Sequence, residues 1–222
     1  MPTKTILCLA NSRKLSGRCI AGRELTPDGY AGWVRPVSAR SSSEVSEEER
    51  RYENGLDARV LDIIEVPVLA AAPQLHQIEN WVIDDRRYWA KKGEVSWESL
   101  AALVEKPVSL WTVGDSTQHG TNDRVRVETA AWMKGSLLLV EPEYLQVQVG
   151  TDGYSKRRVR ASFLYKETHY GLVVTDPVVE RAFFAKEDGC YPLEKVFLCV
   201  SLTEDWEGWC YKVVAGVVGR PI

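Results

Sequence analysis

The chain of 222 residues reads as a mainly β protein built of small barrels. Three observations predict this. Short strand-like runs recur at regular spacing between Gly, Pro, Asn and Asp turns, the intervening helices are few and short, and no strand-helix-strand unit repeats. The 45% hydrophobic and 27% charged shares are those of a folded globular chain. A length of 222 residues suits one large domain or two of roughly 100 residues each.

In order, Ile6 to Leu9 reads as a buried strand, Asn11 to Gly17 as a polar turn, and Arg18 to Gly22 as the returning strand. Gly32 to Ser38 alternates large apolar with polar side chains and stops near Pro36, which cannot donate to a sheet ladder. Ser46 followed by Glu49 forms a capping-box pattern, so a short helix starts at about Glu47, and Asn54-Gly55 closes that segment. Leu61 to Leu69 is a buried strand whose Pro67 places it at an edge or at a bulge. Asn80 to Ile83 is a short strand, and Ser96 caps a helix carrying Leu100, Leu103 and Val104. Trp111 falls in a short strand, and Asp123 to Val127 alternates again.

The same grammar restarts beyond a boundary near Thr129 to Gly135, giving domains 1–130, with a helical insertion, and 131–222. Ser136 to Val140 and Tyr144 to Val149 are strands, with a turn at Thr151 to Tyr154. The clearest hairpin runs from Lys156 to Tyr165, through Lys166-Glu167-Thr168, and back through Tyr170 to Val174. Asp176-Pro177 predicts a helix over 177–185, with the cap and the proline in their preferred places. Val196 to Ser201 and Trp209 to Val218 are the last strands.

A net charge of -3 and a pI near 5.8 argue against indiscriminate coating of DNA, yet leave room for a local basic stripe. No apolar run approaches the roughly 20 residues that span a bilayer, and the first residues lack a secretory core. The five cysteines are odd in number and contain no C-x-x-C pair. They predict thiols in a cytoplasmic protein, without a disulfide framework, metal site or cofactor.

The segment from Met1 to Arg23 carries Lys4, Arg13, Lys14, Arg18 and Arg23 and no acidic residue. A basic hairpin followed by the Trp33-containing strand supplies what holds a phosphate backbone and stacks a base. Lys156, Arg157 and Arg158 form a second basic run. Tyr154 and Trp209 join Trp33 as stacking candidates. The alternative is that these cations are solvated loop charges and the aromatics core. Asn11, Arg35 and Asn80 suit base-edge recognition, which opens a second reading, a sensor for a nucleotide or modified base held between the barrels. An enzyme is the third class. Ser12 with Lys14 would supply a nucleophile and base, and His119 lies near Asp115 and Asp123 in sequence. Neither a P-loop nor a G-x-G-x-x-G is present, so no catalytic residue is assigned.

Leu9 to Lys14, Trp33 to Ser38, Asn80-Trp81, Asn122 to Val125, Thr175-Asp176-Pro177 and Tyr211-Lys212 together resemble the dual OB-fold domain family of prokaryotic proteins. The resemblance covers nearly the whole chain, and its first two strings are the most specific. It implies two tandem OB-like barrels and a non-catalytic module that binds single-stranded DNA, RNA or a nucleotide. It also implies service in a prokaryotic conflict or defence system, with a protein partner from that system. On that reading Arg13, Lys14, Arg18 and Arg35 meet phosphates in the first barrel, and Lys156, Arg157 and Arg158 in the second.

Overall fold

Five of the six strands in the first half form a closed ring. In the computed structural model, which describes residues 2–152 and 155–219, the chain divides into two compact units, 1–103 and 104–222. The expected boundary at 130/131 falls inside the second unit, because residues 124–126 pair with its last strand.

In the first unit, β1 (Thr3–Lys14), β2 (Gly17–Thr26) and β3 (Gly29–Val37) form an antiparallel meander. The short helix α1 (Glu47–Arg50) follows, with the expected capping box between Ser46 and Glu49 in place. β4 (Asp62–Ala71) pairs antiparallel with β1, and β5 (Asn80–Ile83) runs parallel to β3 and antiparallel to β4. The circuit β1-β2-β3-β5-β4-β1 is a closed five-stranded barrel, with β6 (Ala90–Glu94) added to β4 and a 3₁₀ helix at Trp97–Leu103. Closure requires β4 to change partners along its length. It does so just past Pro67, where the register shifts between Val68 and Ala70. A residue with no N–H thus sits where the ladder is already interrupted.

Ile6, Cys8, Ile20, Val34, Ile64, Val66 and Val68 fill this barrel. β1 bulges between Cys8 and Ala10 opposite Gly22, and a Cβ at Gly22 would lie 2.1 Å from the Leu7 carbonyl oxygen. Only glycine allows that approach. β1 runs on to Lys14, so Asn11 to Lys14 is paired strand and the turn is only Leu15-Ser16.

The second unit opens with β7 (Arg124–Arg126), helix α2 (Val127–Ala130) and β8 (Leu137–Val140). β9 (Tyr144–Thr151), β10 (Arg157–Tyr165) and β11 (Thr168–Val174) repeat the meander. The β10–β11 turn, Lys166-Glu167, has both φ values positive (46° and 63°) without the usual Asn or Gly. Helix α3 (Pro177–Phe184) starts where predicted, with the Asp176 carboxylate accepting from the Val178 and Val179 amides. β12 (Gly189–Leu193), β13 (Phe197–Leu202) and β14 (Trp209–Val218) complete it.

β11 is parallel to β14, which is antiparallel to β13. The order β9-β10-β11-β14-β13 therefore repeats the first unit's β1-β2-β3-β5-β4. Among the described pairings, β9 and β13 are not joined to each other. β12 extends the sheet beyond β9 and β8 extends it beyond β13. The core alternates cleanly: Leu145, Val147 and Val149 on β9 face Val159, Ala161 and Phe163 on β10 and Tyr170, Leu172 and Val174 on β11. The residues between them on β10, Arg158, Arg160 and Ser162, lie on the other face.

Candidate nucleic-acid interface

The β1–β2 hairpin brings the first basic cluster together. Arg13 is paired directly with Arg18, and Lys14 with Gly17. Directly opposed residues of an antiparallel pair share a face, so two guanidinium side chains project side by side at the tip. The Arg18 backbone also exchanges both hydrogen bonds with Val45, at 2.9 Å each, which ties the tip to the 38–50 segment. That segment brings acid with it. The Glu44 carboxyl is held below the usual carboxylate range chiefly by a Ser42 hydrogen bond, with Arg40 and Lys14 adding to the effect. Arg40 in turn pairs with Glu49 at 2.8 Å. Asn11 is tied inward, its Nδ2 donating to the Ala58 carbonyl at 2.6 Å.

On the neighbouring β2–β3 face, Arg23 pairs with Trp33 and its guanidinium lies 5.7 Å from the ring centroid, while its Nε donates to the Ala31 carbonyl at 2.8 Å. Half-exposed Trp33 and exposed Tyr30 both lie on β3. Arg35 and Asn80, expected to read phosphates or base edges, are each only 3% exposed. Arg35 lies 3.3 Å from the equally buried Glu79, and Asn80 Nδ2 donates to Gln77 Oε1 at 3.3 Å. Both side chains lie in the interior, whereas the sequence points to phosphate or base-edge contact for them. Ser12 is buried as well, at 5% exposure.

In the second unit Lys156 is exposed, but the arginines beside it are engaged. Arg157 pairs with Asp188 at 2.9 Å and donates to the carbonyls of Phe184, at 2.7 Å, and of Lys186. Arg158 pairs with Asp152 at 3.0 Å. Tyr154 lies outside the described residues. Trp209 carries the Arg124 and Arg126 guanidiniums 3.9 and 4.6 Å from its centroid, so its ring is already engaged with cations.

Two residues that the sequence did not assign to the site matter here. Arg160, opposite Gln148 on β9, has its Nη1 buried with no hydrogen-bond partner among the described residues. Burial lowers its pKa, Asp123 works against that shift and Arg158 adds to it. Arg160, Arg158, Asp152, Gln148, Cys190 and the exposed His119 line a concavity of about 440 Å³. Lys212 is 1% exposed, and its Nζ donates to the Thr112 and Asn122 carbonyls at 2.5 and 2.7 Å. Burial pushes its pKa down to about 8, against the pull of Asp123 and Asp115. Lys212 therefore cinches the 112–122 loop that carries His119. The Asp123 carboxylate closes the same loop by accepting from the Thr117 amide and hydroxyl, at 2.7 and 2.5 Å. The signal for Lys212 was legible: it is the only charge in the apolar run Trp209 to Val218.

A five-stranded ring in one unit and the same strand order in the other define a tandem OB-fold protein. The chain belongs to the family described as the dual OB-containing domain, whose family model matches residues 4–217. No curated protein and no solved structure matches it. OB folds commonly bind oligonucleotides, through the sheet face of their second and third strands and through the loops beside it. Among the described residues no helix is long and apolar enough to cross a membrane.

Proposed function

We propose that the protein binds single-stranded nucleic acid, without catalysis, through the β1–β2 hairpin and the β2–β3 face of its first barrel. One observation carries this reading. In each unit a basic cluster lies at the connection between the first and second strands of the meander: Arg13, Lys14 and Arg18 in the first, Lys156, Arg157 and Arg158 in the second. That connection is one of the two loops OB barrels offer to oligonucleotides. Arg13 and Arg18 stand in register on one face of the hairpin, so one phosphate can meet both. Trp33 and Tyr30, on the adjoining strand, provide ring faces for bases, each stack contributing about 1 to 3 kcal/mol.

The role is that of a cytoplasmic recognition module in a prokaryotic conflict or defence system, working with a partner protein from it. The test is fluorescence anisotropy of a labelled oligothymidylate and its RNA counterpart across a salt series. Affinity falls with salt, and Arg13→Ala combined with Lys14→Ala flattens the log-log slope by about 0.7 per lost phosphate contact. Absent or salt-independent binding of both strands refutes the proposal.

A further inference from the structure

We propose that the concavity on the outer face of β9 and β10 is a binding site for a phosphate monoester, held by Arg158, Arg160 and His119. Arg158 and Arg160 are two apart on β10 and project from one face, about 6.6 Å apart along the strand. A single phosphate group can thus bridge them. Arg160 lines the concavity, and its Nη1 is buried with no acceptor among the described residues, so an anion that draws the guanidinium outward meets no competing hydrogen bond at that atom. Arg158 sits opposite Gly150, where an added Cβ would meet open space, so the floor beside its guanidinium is bare.

Two carboxylates temper the positive field: Asp152, which accepts from Arg158 Nε at 3.0 Å, and Asp123, which acts on Arg160 through space while bonded to Thr117. A ligand must displace Asp152 from Arg158. A dianionic phosphate monoester can do so, whereas the single charge of an internal phosphodiester only matches the carboxylate it replaces. His119, on the loop cinched by Lys212 and Asp123, adds an imidazole from above the sheet. The volume, about 440 Å³, falls in the range of small-molecule pockets. A free nucleotide and the phosphorylated end of a strand share this chemistry.

The test uses Cys190, an exposed free thiol in the wall of the pocket. Its alkylation by N-ethylmaleimide is followed by peptide mass spectrometry in the full chain. The probes are thymidine, thymidine 5′-monophosphate, and one oligothymidylate with either a 5′-phosphate or a 5′-hydroxyl. Protection by the monophosphate assigns a free nucleotide, and protection by the 5′-phosphorylated strand alone assigns a strand end. Either supports the site. Arg160→Gln raises the half-protecting concentration about 10- to 100-fold, as expected for a lost charge-assisted hydrogen bond. Gly150→Val, which fits the open space, blocks protection while leaving both arginines in place. Equal protection by thymidine or by the 5′-hydroxyl strand overturns the proposal, as does no protection by any phosphorylated probe. Anisotropy with the 5′-hydroxyl strand reports on the first barrel separately, and Arg160→Gln leaves it unchanged.

Discussion

Replacing Lys212 with Met tests how the buried ammonium group is tolerated. The side chain is 1% exposed and its pKa lies at about 8 instead of 10.5. Burial thus disfavours the charged form by about 2.5 pKa units, roughly 3 kcal/mol. For a lysine with a depressed folded pKa, the native state releases its proton first as pH rises. Between the folded and unfolded values the unfolded chain holds more protons, so this group's contribution to stability grows with pH. With values of about 8 and 10.5, the gain between about pH 7 and about pH 9.5 is roughly 2 kcal/mol. Cys210, raised by burial to about 11, and Tyr170, also raised, act in the opposite sense, because their native states keep the proton. The difference between wild type and Lys212→Met cancels those terms. Urea unfolding of the second unit, followed by methyl NMR at several pH values, should show the wild type gaining on the variant by that amount. At neutral pH the variant loses the donors to Thr112 and Asn122, so the 112–122 loop exchanges its amides faster. A pH-independent difference, or a Lys212 ε-carbon that titrates at 10.5 or above, refutes the reasoning.

Arg35→Met leaves Glu79 buried without its partner and should lower stability by about 3 to 5 kcal/mol in thermal unfolding; if the protein binds strands as proposed, the salt slope of binding stays at the wild-type value. An unchanged melting temperature would show that the pair contributes nothing. Gly22→Ala drives a Cβ into the Leu7 carbonyl and should cost at least about 1 to 3 kcal/mol in the first unit, measured by denaturant unfolding. Asp176→Ala removes the acceptor for two amides at the start of α3 and should cost about 1 kcal/mol in the same assay.

The fold was legible where local chemistry decides it. Asp176-Pro177 fixed the start of α3, Ser46 with Glu49 the start of α1, and alternation the hairpin of β10 and β11. It was illegible where distant pairing decides. Ala90–Glu94 and Gly189–Leu193 contain Gly, Pro and charge, and become strands only because β4 and β9 offer unpaired edges. Asn11 to Lys14 looks like a turn, yet it is held as strand by pairing with residues 17–20. The candidate site followed the same divide. The basic character of both hairpins was plain, but whether a given arginine meets solvent depended on partners far away: Glu79 for Arg35, Asp188 for Arg157.

The two units use one topological position in different ways, and connection length accounts for the difference. Two residues join β1 to β2, so Arg13, Lys14 and Arg18 stay on paired backbone at the tip. Residues 152–156 join β9 to β10, and this longer connection lets Asp152 fold back to accept from Arg158 and from the Lys156 amide. The end of α3 reaches the same place and takes Arg157 through the Phe184 and Lys186 carbonyls. The second hairpin thereby ties up Arg157 and leaves Arg158 held by a carboxylate that an incoming anion has to displace. The next outward-facing position on β10 is Arg160, where no such loop reaches and a buried Nη1 is left without an acceptor. An anion drawn to the second barrel is therefore met not at the hairpin tip but deeper on the sheet, where burial strengthens each contact and the concavity limits what can enter.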